Sequence, residues 1–123
     1  MTIGIIGQGY VGTAIKLGFQ EHYKIETYDK FDLAKSTRSN VKDIVEEANV
    51  IFVCVPTPMR KDGTCYTGIV EEVIREINET ATDHIIVIKS TIPPGTTDRI
   101  NQEYTHSTVI FNPEFLTEAN FLE

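Results

Sequence analysis

The residues best suited to chemistry begin with a run of glycines. Gly7-Gln8-Gly9-Tyr10-Val11-Gly12 has the spacing G-x-G-x-x-G. An apolar run, Ile3 to Ile6, precedes it, and Val11, Ala14, Ile15 and Gly18 then recur at helical spacing through Gln20. Between a strand and a helix, the first glycine makes the turn and the second lets backbone approach a pyrophosphate. The third lets the helix pack closely on the strand. The plain alternative is an ordinary strand-to-helix turn. Asp29 ends a second strand, Lys24 to Tyr28, where a carboxylate accepts the ribose hydroxyls of a dinucleotide. Its plain alternative is a solvated strand-end charge. A carboxylate there repels a 2′-phosphate, so NAD is favoured, while Lys30 and Lys35 leave some tolerance of NADP open.

Further chemistry-bearing residues also fall at the ends of expected strands. Thr57 lies in Pro56-Thr57-Pro58, and Thr91 follows Lys89-Ser90. Asn112 is a good helix N-cap and Pro113 a good first helical residue, which puts Glu114 and Glu118 at i and i+4 on one face. By residue type alone, the threonines would be turn hydroxyls and the glutamates a solvated surface pair.

The elements that must position these groups alternate. Val41, Ile44, Val45 and Ala48 mark a modest amphipathic helix inside a polar linker, and Asn49 closes it. Val50 to Val55 is a continuous apolar run, as expected of a parallel strand covered on both faces. Val70, Val73, Ile74, Ile77 and Ala81 form the stripe of a longer helix. Ile85 to Ile88 is a strand, Pro93-Pro94-Gly95 opens a helix reaching about Tyr104, and Thr108 to Phe111 is the last strand. Strict strand-helix alternation without hairpin signals predicts a three-layer α/β/α architecture. It is a doubly wound parallel sheet of Rossmann type with about five strands and a switch point beside the first.

With 123 residues, 41% hydrophobic and 24% charged, the chain fits one domain with one core. A formal charge of −7 argues against nucleic-acid or anionic-membrane partners, so bound phosphate must be held by local N–H groups and a helix N-terminus. Cys54, inside an apolar run, and Cys65, in a Gly/Thr-rich turn, show no CxxC spacing and no partner histidine. No metal site or redox dithiol is expected, and reduced thiols fit a cytoplasmic protein. The opening MTIGIIG lacks a basic n-region and reads as a strand, and no run reaches transmembrane length.

Three further segments narrow the reading. Val53-Cys54-Val55-Pro56-Thr57-Pro58, Lys89-Ser90-Thr91-Ile92-Pro93-Pro94-Gly95-Thr96 and Asn112-Pro113-Glu114-Phe115-Leu116-Thr117-Glu118 occur in this order after an intact glycine turn. Together they resemble the UDP-glucose/GDP-mannose dehydrogenase family, nearest to members acting on UDP-glucose, over Ile3 to Glu118. The resemblance implies oxidation of a nucleotide-sugar C6 alcohol to a carboxylate, UDP-glucose to UDP-glucuronate, with two NAD and a thiohemiacetal on a cysteine. It places Tyr10 and Val11 against the pyrophosphate, Asp29 on the adenosine ribose, and Thr57 and Thr91 near the cofactor. Thr91 would also position a water at the reacting carbon. Glu114 would assist water in thioester hydrolysis, a general-base role served by a carboxyl pKa raised through burial. Glu118 would lie toward substrate and nicotinamide, with Phe115 to Thr117 offering backbone to the sugar.

The chain departs from the family pattern in three places. Ala119 stands where glycine is usual, and the stretch between Asp29 and Val50 is shorter, lacking an extra helix and short strand. The Gly-rich segment with the nucleophilic cysteine and its nearby lysine is missing, and neither Cys54 nor Cys65 has matching surroundings. The expected organisation is an NAD-binding domain over 1–111 and the start of a substrate-contacting segment over 112–123. The chain is expected to bind NAD without turning over, with a homodimer possible. Two alternatives stay open: a stand-alone NAD-binding or regulatory module, and the equivalent domain of a GDP-mannose or UDP-N-acetylmannosamine dehydrogenase.

Overall fold

The computed structural model describes residues 1–64, 66–80, 84–93, 95–103 and 107–112. Five strands alternate with four helices: β1 (Thr2–Ile6), α1 (Tyr10–Phe19), β2 (Lys24–Tyr28), α2 (Val41–Glu47), β3 (Val50–Val53), α3 (Gly68–Thr80), β4 (Ile85–Ile88), α4 (Thr96–Glu103) and β5 (Thr108–Phe111). All pairings are parallel and the sheet order is β2-β1-β3-β4-β5. The winding therefore reverses beside β1, where a doubly wound sheet opens a crevice at its strand C-termini. The expected three-layer fold is the observed one.

The core lies on the face covered by α2, α3 and α4. Ile51 and Val53 of β3, Ile86 and Ile88 of β4 and Val109 of β5 turn inward with Ile44, Val45, Val70, Ile74, Ile77 and Ile100. The apolar stripe of α3 is the predicted one as far as Ile77, and Ala81 falls outside the described residues. Asn40 caps α2, its Oδ1 accepting the N–H of Asp43 at 2.9 Å. On the other face α1 brings Phe19 onto Phe52, ring centroids 6.1 Å apart.

Two local expectations need correction. β3 stops at Val53 rather than Val55. The Cys54 N–H still donates to Ile6 O, but beyond it β1 has turned away at Gly7, whose N–H donates to Tyr28 O instead. Pro56 has no N–H to extend the ladder. The polar linker after Asp29 is also more ordered than its composition suggests. It makes a 3-10 turn at Leu33–Lys35 and then lies along the outer edge of β2. The Thr27 N–H donates to Thr37 Oγ1, Thr27 O accepts from the N–H of Thr37 and Arg38, and the Asp29 N–H donates to Ser36 Oγ. Thr37 Oγ1 and Arg38 Nε also engage the buried Glu26 carboxylate, at 2.8 and 3.2 Å.

Among the described residues no helix is long and apolar enough to cross a membrane. No group of three or more His, Cys, Asp or Glu side chains there is placed to hold a metal ion.

Candidate functional site

The crevice at the strand C-termini is a cavity of about 350 Å³, within the range of ligand sites. Its walls come from the first turn of the fold, Gly7 to Val11, from Asp29 and Phe31 after β2, from Cys54 to Thr57 after β3, and from Lys89 to Thr91 after β4. Gly7, Gly9, Tyr10, Val11, Asp29, Thr57 and Thr91, separated by up to 84 residues in sequence, thus share one cavity. Gly12 lies just behind them. Glu114, Phe115, Leu116, Thr117 and Glu118 lie outside the described residues, as does Cys65.

The three glycines of the turn are small for different reasons. Gly7 takes φ +100°, and a Cβ on it would sit 2.6 Å from Cys54 O. At Gly12 a Cβ would run into the carbonyl oxygen of Gly7, so this glycine lets α1 pack against the turn. A Cβ on Gly9 would meet nothing within 4 Å. Among the described residues nothing requires glycine there, whereas a ligand approaching the backbone closely would. Gly9 is also the N-cap of α1 and offers no side-chain hydrogen bond, and no acidic residue stands in the first turn. The positive end of the helix dipole therefore meets the cavity with no acidic side chain in the helix's own first turn, which favours anion binding.

Asp29 is held by the turn it serves. Its Oδ2 accepts the Gln8 N–H at 2.7 Å and its Oδ1 accepts the Phe31 N–H at 2.8 Å. Each oxygen keeps a lone pair for a further donor, such as a ribose hydroxyl. Gln8 is buried, its side-chain amide donating to Gly7 O, and Thr13 Oγ1 donates to Gln8 O. The backbone that would face a pyrophosphate is thus fixed from both sides.

Between β3 and β4, Ser90 Oγ donates to Val55 O at 2.6 Å and ties the two strand-end loops together. Thr57 and Thr91 stand on those two loops. Cys54, expected inside the strand, lies one residue past it and lines the cavity. Burial pushes its thiol pKa up to about 12, against the opposing effect of the Lys89 charge. The thiol stays protonated at neutral pH and is a poor nucleophile, in keeping with its rejection from the sequence. Phe31 is a cavity residue that motif reading passed over, and Lys89 is one that stood in a quoted motif without a role. Phe31 is an exposed aromatic two residues past Asp29, and Lys89 ends the apolar run of β4. An aromatic in a polar linker and a charge directly after a buried strand were the available signals.

A glycine turn at a switch point, a helix N-terminus with no acidic residue in its first turn and a braced strand-end carboxylate define a dinucleotide-binding domain. The open space at Gly9 and the free lone pairs of Asp29 fit a pyrophosphate and a ribose. The sequence model of the UDP-glucose/GDP-mannose dehydrogenase family, NAD binding domain, matches residues 26–123. The chain belongs to this family of nucleotide-sugar dehydrogenases, and its cofactor is NAD. It is 30% identical over 152 aligned residues to a UDP-glucose 6-dehydrogenase of Streptococcus pneumoniae, covering 99% of this chain and 38% of that protein. A putative UDP-glucose 6-dehydrogenase of Bacillus subtilis is 39% identical over 95 residues, 71% of this chain and 22% of its own length. The structure of a GDP-mannose dehydrogenase from Pseudomonas aeruginosa superimposes with a TM-score of 0.84 at 25% identity, over 99% of this chain and 38% of that one. The chain thus spans well under half the length of these relatives. The pneumococcal alignment is longer than this 123-residue chain, so that relative carries extra residues within the matched region.

Proposed function

We propose that this chain is the cofactor-binding portion of a UDP-glucose 6-dehydrogenase that makes UDP-glucuronate, and that these 123 residues bind NAD without turning over. The observation that carries the reading is one cavity joining an open Gly9, a braced Asp29 and the strand-end threonines Thr57 and Thr91. Bound NAD supplies the hydride acceptor for oxidation at C6. The first-turn backbone at Tyr10 and Val11 binds the pyrophosphate, and Asp29 orients the adenosine ribose. Thr57 and Thr91 lie toward the reacting end, where Thr91 holds a water. Residues 1–111 form the NAD-binding unit and 112–123 begin the substrate-contacting segment. There Glu114 acts as general base toward water, Glu118 faces substrate and nicotinamide, and Phe115 to Thr117 present backbone to the sugar. A cysteine outside this chain supplies the nucleophile, since the Cys54 thiol is held protonated.

Calorimetric titration with NAD, followed by NADH fluorescence after addition of UDP-glucose, tests the reading. Saturable binding with no NADH is expected. Absence of NAD binding refutes the cofactor role, and turnover by the 123 residues refutes the placement of the nucleophile. A second reading, an NAD-binding module without chemistry, is favoured by a cavity that already gathers the glycine turn, Asp29, Thr57 and Thr91. A downstream cysteine and lysine segment in the reading frame decides against it.

A further inference from the structure

Asp29 stands just past the end of β2, at the margin of the sheet. An inner strand has neighbours on both sides to hold its end, whereas β2 has only β1. On the open side a side chain of the following linker takes the place of a strand. The Asp29 N–H donates to Ser36 Oγ at 2.8 Å, and Ser36 Oγ in turn lies 3.4 Å from the carbonyl oxygens of Asp29 and Asp32. Asp29 O also accepts the Asp32 N–H at 3.2 Å, which closes the turn between them. Ser36 is itself fixed from both sides. Its N–H donates to Leu33 O, and the next two residues are tied to Thr27 and to the buried Glu26 carboxylate. The Gln8 and Phe31 N–H groups thus set the Asp29 carboxylate, and Ser36 sets the Asp29 backbone that carries it. Ser36 does not line the cavity, so its effect on a ligand passes through Asp29.

We propose that Ser36 is a positioning residue for the ribose contact of the dinucleotide. A binding group must be held to within about 0.5 Å of its productive place by supporting residues, because hydrogen bonds weaken steeply with poor geometry. Without the Ser36 hydroxyl the Asp29 N–H loses its acceptor, and the turn from Asp29 to Asp32 loses its tie to the ordered linker behind it. The carboxylate then keeps its charge but not its place. The inference rests on the NAD reading above. It adds a residue that belongs neither to the glycine turn nor to the three further segments.

Calorimetry of the 123-residue chain with NAD and with its 2′-deoxyadenosine analogue, which lacks one ribose hydroxyl, measures this contact. The wild-type chain should bind NAD about tenfold more tightly, as a hydrogen bond to a charged acceptor provides. Ser36→Ala should weaken NAD and bring the two ligands to within about threefold of each other. Ser36→Thr keeps the hydroxyl and should restore most of the preference. Ser36→Cys, whose sulfur is a weak acceptor, should behave like Ser36→Ala and serves in its place if circular dichroism shows the alanine variant unfolded. Thr37→Val removes the neighbouring hydroxyl, which bonds Thr27 and Glu26 rather than Asp29. It should lower the melting temperature and leave the preference in place. A Ser36→Ala chain that keeps the wild-type preference overturns the proposal. So does one that loses affinity for both ligands by the same factor, the mark of a merely structural role. A preference that collapses as fully in Thr37→Val as in Ser36→Ala overturns the assignment to Ser36. Equal binding of the two ligands by the wild-type chain overturns the ribose contact and the proposal while leaving NAD binding intact. If NAD itself does not bind, the cofactor reading falls and the positioning role falls with it.

Discussion

Replacing Gly9 by alanine puts a methyl group where, among the described residues and apart from its two chain neighbours, no atom stands within 4 Å. The backbone there, φ −69° and ψ −163°, is one alanine adopts without strain. Two small terms oppose each other in the apo protein. Loss of unfolded-state freedom favours alanine by about 0.4–1 kcal/mol, and the N-cap preference favours glycine by a similar amount. The net change should stay below about 1 kcal/mol, a Tm shift under roughly 5 °C for a domain of this size. NAD binding should respond differently, because the methyl group occupies the space through which the pyrophosphate approaches the backbone. Overpacking a fitted site costs roughly 1–3 kcal/mol, which weakens binding about 5- to 150-fold. Gly12→Ala provides the contrast. Its Cβ collides with the Gly7 carbonyl, which is backbone and cannot swing aside. That substitution should destabilise the fold by about 2–3 kcal/mol or more. Thermal melting and NAD calorimetry on both variants separate the two effects. A folded Gly9→Ala protein with wild-type NAD affinity refutes the close approach of ligand to this backbone. A Gly9→Ala protein that melts like Gly12→Ala refutes the openness of the position.

Three further outcomes follow from the same geometry. Asp29→Asn leaves one carbonyl oxygen where two carboxylate oxygens now accept the Gln8 and Phe31 N–H groups. It should lower stability by about 1–3 kcal/mol and weaken NAD roughly tenfold, read by melting and calorimetry. The Cys54 thiol has its folded pKa raised from 9.0 to about 12 by burial. Its contribution is therefore full below pH 9 and declines as pH rises toward 12. The stability difference between wild type and Cys54→Ala should narrow by up to about 1.4 kcal/mol per pH unit across that window in urea melts, and a pH-independent difference contradicts it. The Glu47 carboxyl is held below its ordinary pKa, first by its side-chain hydrogen bonds from Arg38. That contribution is present above the unfolded value near 4.5 and is lost as pH falls through the folded one. Acid titrations of Glu47→Gln should show a shallower loss of stability than wild type.

Much of the fold can be read from local pattern because buried parallel strands announce themselves as short apolar runs. Val50–Val53 and Ile85–Ile88 are of this kind, and the stripe from Val70 to Ile77 repeats at helical spacing. The end of β3 could not be read, because Cys54 and Val55 are as apolar as the strand. Pairing stops there for a tertiary reason, the departure of β1 at Gly7. Thr37 meets the strand edge through hydroxyl and backbone bonds to Thr27, ten residues away, and such pairing leaves no periodic trace. In the site, the glycine turn, Asp29, Thr57 and Thr91 were legible because parallel sheets gather strand ends. The bond from Gln8 to Asp29 spans 21 residues, and Phe31 belongs to no spacing rule.

The segment from Lys35 to Arg38 has a further consequence through its place at the sheet margin. β2 is an edge strand, and an open edge is a template on which a second molecule can add a strand and begin an aggregate. Here Ser36, Thr37 and Arg38 consume the outward backbone groups of Thr27 and Asp29, and Lys24 puts a charge at the other end. A short polar linker thus acts as a guard against intermolecular β-addition. Removing the hydroxyls of Ser36 and Thr37 together would expose that template, and the resulting defect would emerge first as polymerisation at high protein concentration.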